Sequence, residues 1–378
     1  MILMEAVLLI KEELCVGCKK CMDKCPTNAS IAYQVQGKNK VKVDQKRCIH
    51  CGECLEACDH GARDFADDTQ LFFDELKRGT SISLFAAPSI RFNFANYKRM
   101  FGYLRSLGVR LIYDVSFGAD ITTWAYLKAI REQNLKSLIA QHCPTIVNYA
   151  QKFRPELIPN LAPIHSPMLC TAVYMKKYKN VNDKLAFLSP CIGKIEEINE
   201  KNTGGLVQYN VTYEKLEKYL EQNGVNLDSY PETEFDDIGC GLGQTFSRPG
   251  GLRETVEFHI KDGWIRQVGG PEHVYQYLDE YAVQLRQGEN VPLLVDIQNC
   301  SRGCNVGTGI NRPSTIAAAD KINRLKQTAI KQQSSDTLLK QSHSLFDLFD
   351  KELNLQDFLR HYEDKSQMVS QSAGVNSK

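Results

Sequence analysis

"CVGCKKCMDKCP" runs from Cys15 to Pro26, and "CIHCGECLEACD" repeats its pattern from Cys48 to Asp59. Each copy spaces four sulfurs as C-x2-C-x2-C-x3-C. A [4Fe–4S] cube needs four thiolates at its corners; a C-x2-C-x2-C loop supplies three, and the fourth Cys of such a run reaches the other cluster. The duplication therefore predicts two cubes, one on Cys15, Cys18, Cys21 and Cys58, the other on Cys48, Cys51, Cys54 and Cys25. Zinc is the alternative, but zinc sites usually draw on two separated C-x2-C pairs rather than on a triple followed by a single.

The unit resembles a bacterial two-cluster ferredoxin. It departs from that pattern at Asp59, where Pro is usual, a change that leaves ligation intact. Between the copies, "IAYQVQGKNKVKVD" alternates around Gly37-Lys38-Asn39 and predicts a hairpin.

Composition bounds the rest. The chain has 378 residues, 46 Lys and Arg against 45 Asp and Glu, a net charge of +1 and 14 cysteines. The even balance offers no electrostatic case for nucleic acid or an anionic membrane. The opening "MILMEAVLLIKEEL" lacks a basic start, is interrupted by Glu5 and is too short to span a bilayer, so a cytoplasmic protein with no membrane partner is expected. In that compartment, spaced cysteines read as metal ligands or redox centres rather than disulfides.

Past Ile82 the texture changes. Short apolar runs ("ISLFAA", "VRLIYDV", "LKSLIA", "KLAFLS", "VPLLVDI") alternate with amphipathic stretches such as "TTWAYLKAIREQ" and "EHVYQYLDEYAVQLRQ". This predicts an α/β domain of parallel or mixed sheets with flanking helices, beside the small α+β cluster domain. The expected division is residues 1–75, 80–332, and a polar end over 333–378. That end holds one helix around "SLFDLFDKELNLQDFLRHYED" and a frayed tail "SQMVSQSAGVNSK".

Cys143, Cys191 and Cys300 each follow an apolar run, and Cys304 follows Cys300 at C-x3-C spacing. Ligands of α/β sheets gather outside the carboxyl ends of strands, so these four sulfurs can converge on a third cluster. The bland reading, ordinary buried cysteine, suits Cys170 and Cys240, which have no such setting.

"HCP" with "YAQKFRPELIPNLAPIHSPM", "PCIGKIEE" and "NCSRGCNVGTG" resemble, in order, the three cluster-binding signatures of the [FeFe] hydrogenase catalytic domain. "GLGQTFSRPGG" is similar to its glycine-rich segment. The resemblance runs from about residue 5 to 330. It implies an H-cluster: a [4Fe–4S] cube on Cys143, Cys191, Cys300 and Cys304, bridged through Cys304 to a two-iron centre carrying CO, cyanide and a dithiolate. H2 and protons would then be the substrates, and a ferredoxin-like or other redox or signalling protein the partner. Lys194 matches the lysine that donates to a cyanide, and Glu197, three residues on, can hold it in place.

The proton-relay positions of the hydrogen-evolving members fall here on His142, Tyr126, Ala129 and Ala162, and Ser189 replaces a usual Met. Alanine carries no proton, and Tyr, with a pKa near 10, is a poor carrier. His142 could act as a base or serve only as a hydrogen-bonding substitute. The pattern resembles the sensory branch of the family, which binds H2 and turns over slowly, so a ferredoxin-hydrogenase-like activity is expected to be low.

A second reading is a non-catalytic iron–sulfur electron-transfer or assembly protein that lacks the two-iron centre. A third, nucleotide binding through Gly239, Gly241 and Gly243 of "GCGLGQ", lacks the G-x-G-x-x-G spacing. Close backbone approach to the metal site, by these glycines and by Gly250-Gly251, is the expected use instead.

Overall fold

The computed structural model describes residues 6–260, 263–311 and 335–373. In the N-terminal unit β1 (Leu8–Ile10), β2 (Ser30–Val35), β3 (Lys38–Val43) and β4 (Arg63–Phe65) form two antiparallel pairs, β1 with β4 and β2 with β3. The expected hairpin is there, with its turn one step earlier, at Gln36-Gly37. Both residues have positive φ (49° and 75°), as a tight two-residue hairpin turn requires.

Seven more strands follow: β5 (Ile82–Ala86), β6 (Ile112–Asp114), β7 (Leu138–Ile139), β8 (Lys184–Ser189), β9 (Tyr209–Thr212), β10 (Ile265–Gly269) and β11 (Leu294–Gln298). They make two parallel sheets, ordered β6-β5-β8-β9 and β10-β11-β7. The apolar runs are continuous because both faces of the larger sheet are covered. Ile82, Leu84, Ala186 and Leu188 point into one core with Phe72, Phe101 and Tyr219, while Phe85, Leu185 and Phe187 point into another with Phe117 and Leu169.

Strands β9 and β10 were not among the expected ones. "YNVT" and "IRQVG" are too short and too polar to show a period. The acidic "ETEFDD" of residues 232–237 caps the open edge of β6. The Ile112 and Asp114 amides donate to the carboxylates of Asp236 and Asp237 at 2.7 and 2.6 Å, closing an edge that would otherwise be unpaired.

The two ends of the expected division pack differently from what the composition implied. The helix Thr69–Lys77, placed by a boundary at 75 with the cysteine-rich unit, buries Phe72, Phe73 and Leu76 in the α/β core. The boundary near 332 lies outside the described residues. The polar end is no appendage: a helix over Ser335–Glu352, starting earlier than expected, brings Leu345 and Phe349 against Phe117 and Trp124. Leu353, Leu355 and Phe358 join the same core. The tail is a helix over Ser366–Ala373 that buries Val369. No described helix is long and apolar enough to cross a membrane.

Candidate metal centres

In the N-terminal unit Cys21, Cys48 and Cys54 are buried together with Leu8, Ala29, Val41 and Phe65, and Cys25 packs against them. Burial pushes the Cys48 thiol up to about 11 and the Cys54 thiol up to about 12, and Cys25 adds to both shifts; Cys51 is raised well above its usual value by burial, with Cys48 and Cys54 contributing. Cys25 thus lies near Cys48 and Cys54, and Cys21 lies near Cys54 as well. Thiols that repel one another's ionisation in a dry setting are protonated when free, and iron must supply the positive charge that makes them thiolates. Donors already point at sulfur: Arg63 Nη2 lies 3.0 Å from Cys21 Sγ, and the Ala29 amide 3.1 Å from Cys25 Sγ.

In the α/β domain, Cys191 follows β8, Cys300 follows β11, and Cys143 caps the helix Pro144–Phe153 that follows β7. Cys304 opens a short turn over Cys304–Val306. All four line one apolar cavity, together with His142, Lys194, Phe246, Ser247 and Gln298. Burial, with Cys191 and Cys143 nearby, pushes the Cys304 thiol up to about 12; burial and Cys143 raise Cys191. Four convergent thiols, a lysine at the wall and the unpartnered Ser247 hydroxyl fit an iron cube with an anionic group beside it. Bound there, such a group would supply redox chemistry that no side chain of this cavity has.

Lys194 begins the helix Lys194–Asn199. Its ammonium is 2.5 Å from Glu197 Oε2, with longer contacts to Ser166 Oγ (3.3 Å) and the His142 carbonyl (3.2 Å). Glu197 is fully buried. Against burial, which pushes its carboxyl up, Lys194 and then Arg360 hold it below the usual range. Arg360, which the sequence reading did not single out, is itself buried and donates to Glu197 Oε1 at 2.8 Å and to Glu200 at 2.6 Å.

The residues at the expected relay positions are two alanines, a tyrosine and a histidine. Ala129 and Ala162 are fully buried. The Tyr126 hydroxyl donates to Gln141, whose amide donates to the carbonyls of Ile164 and His165 at 2.6 and 3.0 Å. Burial raises Tyr126 well above its ordinary pKa. Burial, and then Lys194, push His142 down to about 4, so its imidazole is neutral at pH 7; its Nε2 is 3.8 Å from the buried Asp296. The Ser189 hydroxyl accepts from the Cys191 amide at 3.0 Å and so braces the ligand turn.

The glycine-rich segment is a correction. Gly241 and Gly243 do not approach the cavity. Their amides donate to the buried Asp120 of the helix Val115–Glu132 at 2.6 and 2.9 Å. A Cβ on Gly243 would meet the Ser116 carbonyl at 2.1 Å, and one on Gly241 would meet Ser342 Oγ at 2.1 Å. The close approach is to two helices, and it delivers Phe246 and Ser247 to the cavity wall. Gly250 has a positive φ (77°) and Gly251 packs on the Thr245 carbonyl, again away from the thiols. With both amides committed to a carboxylate, the segment offers no phosphate cradle. Cys170 is fully buried, as expected; Cys240 is half-buried, its thiol 3.6 Å from Asp114.

The loop carrying Cys48 and Cys51 is pressed onto the back of this cavity. Lys152 Nζ donates to the Cys48 carbonyl at 2.6 Å, and Asn299 Nδ2 to the Cys51 carbonyl at 3.2 Å. Tyr275 donates to Asn299 at 2.6 Å and stands among Cys51, Cys143 and Cys300. Gly52, at φ 80°, lets the loop touch Thr308; a Cβ there would come within 2.6 Å of its methyl group.

A duplicated four-cysteine unit beside two parallel sheets, with four more cysteines around one cavity beyond their strands, defines a multi-cluster iron–sulfur protein. Residues 80–268, half of the chain, match the family described as iron-only hydrogenase large subunit, C-terminal domain, and residues 8–59 match the 4Fe-4S dicluster domain. The chain belongs to the iron-only, or [FeFe], hydrogenase family. It is 24% identical over 302 residues to iron hydrogenase 1 of Clostridium pasteurianum, covering 61% of this chain and 53% of that one. It is 23% identical over 235 residues to the cytosolic Fe-S cluster assembly factor NAR1 of Kluyveromyces lactis, covering 57% and 49%. The chain thus spans about half the length of either relative. The solved [FeFe]-hydrogenase HydA(deltaEFG) shares the fold, with a TM-score of 0.60 at 20% identity over 80% of this chain and all of that one.

Proposed function

We propose that this hydrogenase-like iron–sulfur protein holds two [4Fe–4S] clusters on Cys15, Cys18, Cys21 and Cys58 and on Cys48, Cys51, Cys54 and Cys25. It holds an H-cluster on Cys143, Cys191, Cys300 and Cys304, and it binds H2 with slow turnover. The observation that carries the reading is the single apolar cavity onto which those four distant cysteines and Lys194 converge, with the Cys48–Cys51 loop at its back. When bound, the group supplies the iron position at which H2 is split or formed. The protein's own part is to fix the thiolates, donate from Lys194 to an anionic ligand, exclude water with Phe246 and the aliphatic wall, and keep the electron path short through Asn299 and Tyr275.

Slow turnover is supported by the closed relay: two alanines, and a tyrosine committed to Gln141. Fast chemistry needs a proton supply matched to the electrons. A ferredoxin-like redox or signalling protein is the proposed partner. The experiment is an infrared spectrum of the matured protein. Intrinsic CO and CN stretches support the reading, and their absence with all cubes present supports the second one, an iron–sulfur carrier or assembly protein, which the likeness to NAR1 favours. Hydrogen evolution as fast as that of ordinary members would overturn slow turnover.

A further inference from the structure

Lys194, Glu197, Arg360, Glu200 and Lys365 form one row of alternating charge that begins buried at the cavity wall and ends half-buried at Glu200 and Lys365. The contacts along it are 2.5, 2.8, 2.6 and 2.7 Å. Three cations and two anions leave one net positive charge. Arg360 and Lys365 come from the polar end of the chain, which the cluster chemistry described above does not use. That end is tied down where it matters. The Arg360 amide donates to the Pro163 carbonyl at 3.0 Å, the His165 amide to the Phe358 carbonyl at 2.7 Å, and Tyr362 to the Ala162 carbonyl at 2.7 Å. The strap therefore runs beside Ser166, the residue that also touches the Lys194 ammonium.

A fully buried carboxylate with a single cationic partner would draw that cation onto itself, because little else screens it. Here Glu197 divides its two oxygens, one to Lys194 and one to Arg360. The remaining contacts of Lys194, to Ser166 and the His142 carbonyl, are the long ones, and a ligand in the cavity can displace them.

We propose that Arg360 is a positioning residue: by taking up part of the charge of Glu197 it keeps the Lys194 ammonium directed at, and its charge available to, whatever anionic cluster the cavity holds. The inference rests on the reading of that cavity as a cluster site. Glu200 and Lys365 set the strength of the effect from outside, Glu200 by competing for Arg360.

The test is a redox titration, followed by electron paramagnetic resonance, of the full chain loaded with [4Fe–4S] clusters; the two-iron centre is not needed. The cavity cluster is recognised by its loss in Cys191→Ser. Arg360→Gln should lower its midpoint potential, Arg360→Lys should restore it, and Glu200→Gln should raise it. A merely structural role would loosen the site in both charge-removing variants and move the two potentials the same way. Shifts of one sign, or none, overturn the inference. If Arg360→Gln does not fold, Glu200→Gln decides alone: a rise supports the inference and no rise refutes it. A wild-type chain that binds only two clusters sinks the cavity reading itself, and this inference with it.

Discussion

Replacing Glu197 by Gln tests the buried charges where they are most exposed to failure. The side chain is wholly inaccessible and lies between Lys194 at 2.5 Å and Arg360 at 2.8 Å. An amide keeps the shape but leaves two buried cations facing a neutral group, one of them as a donor facing a donor. Removing one partner of a buried ion pair costs about 3–5 kcal/mol, or about two to three and a half decades in the folding constant. Arg360 retains Glu200, so the lower end of that range is expected. The pH dependence has a definite sign. The folded carboxyl is held below its unfolded value, so its contribution is present above the unfolded pKa of about 4.3 and is lost as pH falls through the lower folded value. The variant should therefore be weaker at pH 7 and should lack that part of the acid-induced loss. Urea unfolding of the full chain at pH 7, 5 and 3.5 reads both. A Lys194→Met, Glu197→Gln double variant should recover part of the deficit, since it removes the stranded ammonium. Stability within about 1 kcal/mol of wild type at pH 7 would refute the reasoning, because the remaining contacts of Lys194 are only to a hydroxyl and a carbonyl.

Three further outcomes are expected. Gly52→Val combines a left-handed φ, costing about 1–2 kcal/mol, with overlap on Thr308, costing about 1–3 kcal/mol; a lower urea midpoint and faster proteolysis between the two units are expected, and an unchanged midpoint would show the contact to be slack. Burial raises the Asp120 carboxyl to about 7, so stability from this group is full below about pH 4 and is lost as pH rises through 7; Asp120→Asn should flatten that slope in unfolding measurements. Arg63→Met removes a cationic donor from Cys21 Sγ, and the neighbouring cluster's potential should fall by up to about 130 mV, the one-electron equivalent of a charge-assisted hydrogen bond; no shift on redox titration would mean that Arg63 serves packing alone.

The limits of sequence reading are visible in particular residues. The eight N-terminal cysteines stand out in the sequence because three of each copy's four lie within seven consecutive residues, the spacing of a loop that wraps a cube. Cys143, Cys191 and Cys300 were legible as strand-end residues because a covered parallel strand is a continuous apolar run, and the residues just past it face the crevice. The glycine-rich segment was misassigned because glycine records that something comes close without recording what; the partner is Asp120, about 120 residues away. β9 and β10 escaped because four or five mixed residues carry no period.

By itself, then, the sequence determined the iron–sulfur class and the class of fold, because both rest on patterns that repeat over a few residues. Only the tertiary structure decided how the charges at the cavity are balanced. Arg360 meets Glu197 across 163 positions, and a polar stretch looks the same in sequence whether it is solvated or buried against opposite charge. Burial turns these surface-like residues into part of the site, and burial is a property of the whole fold.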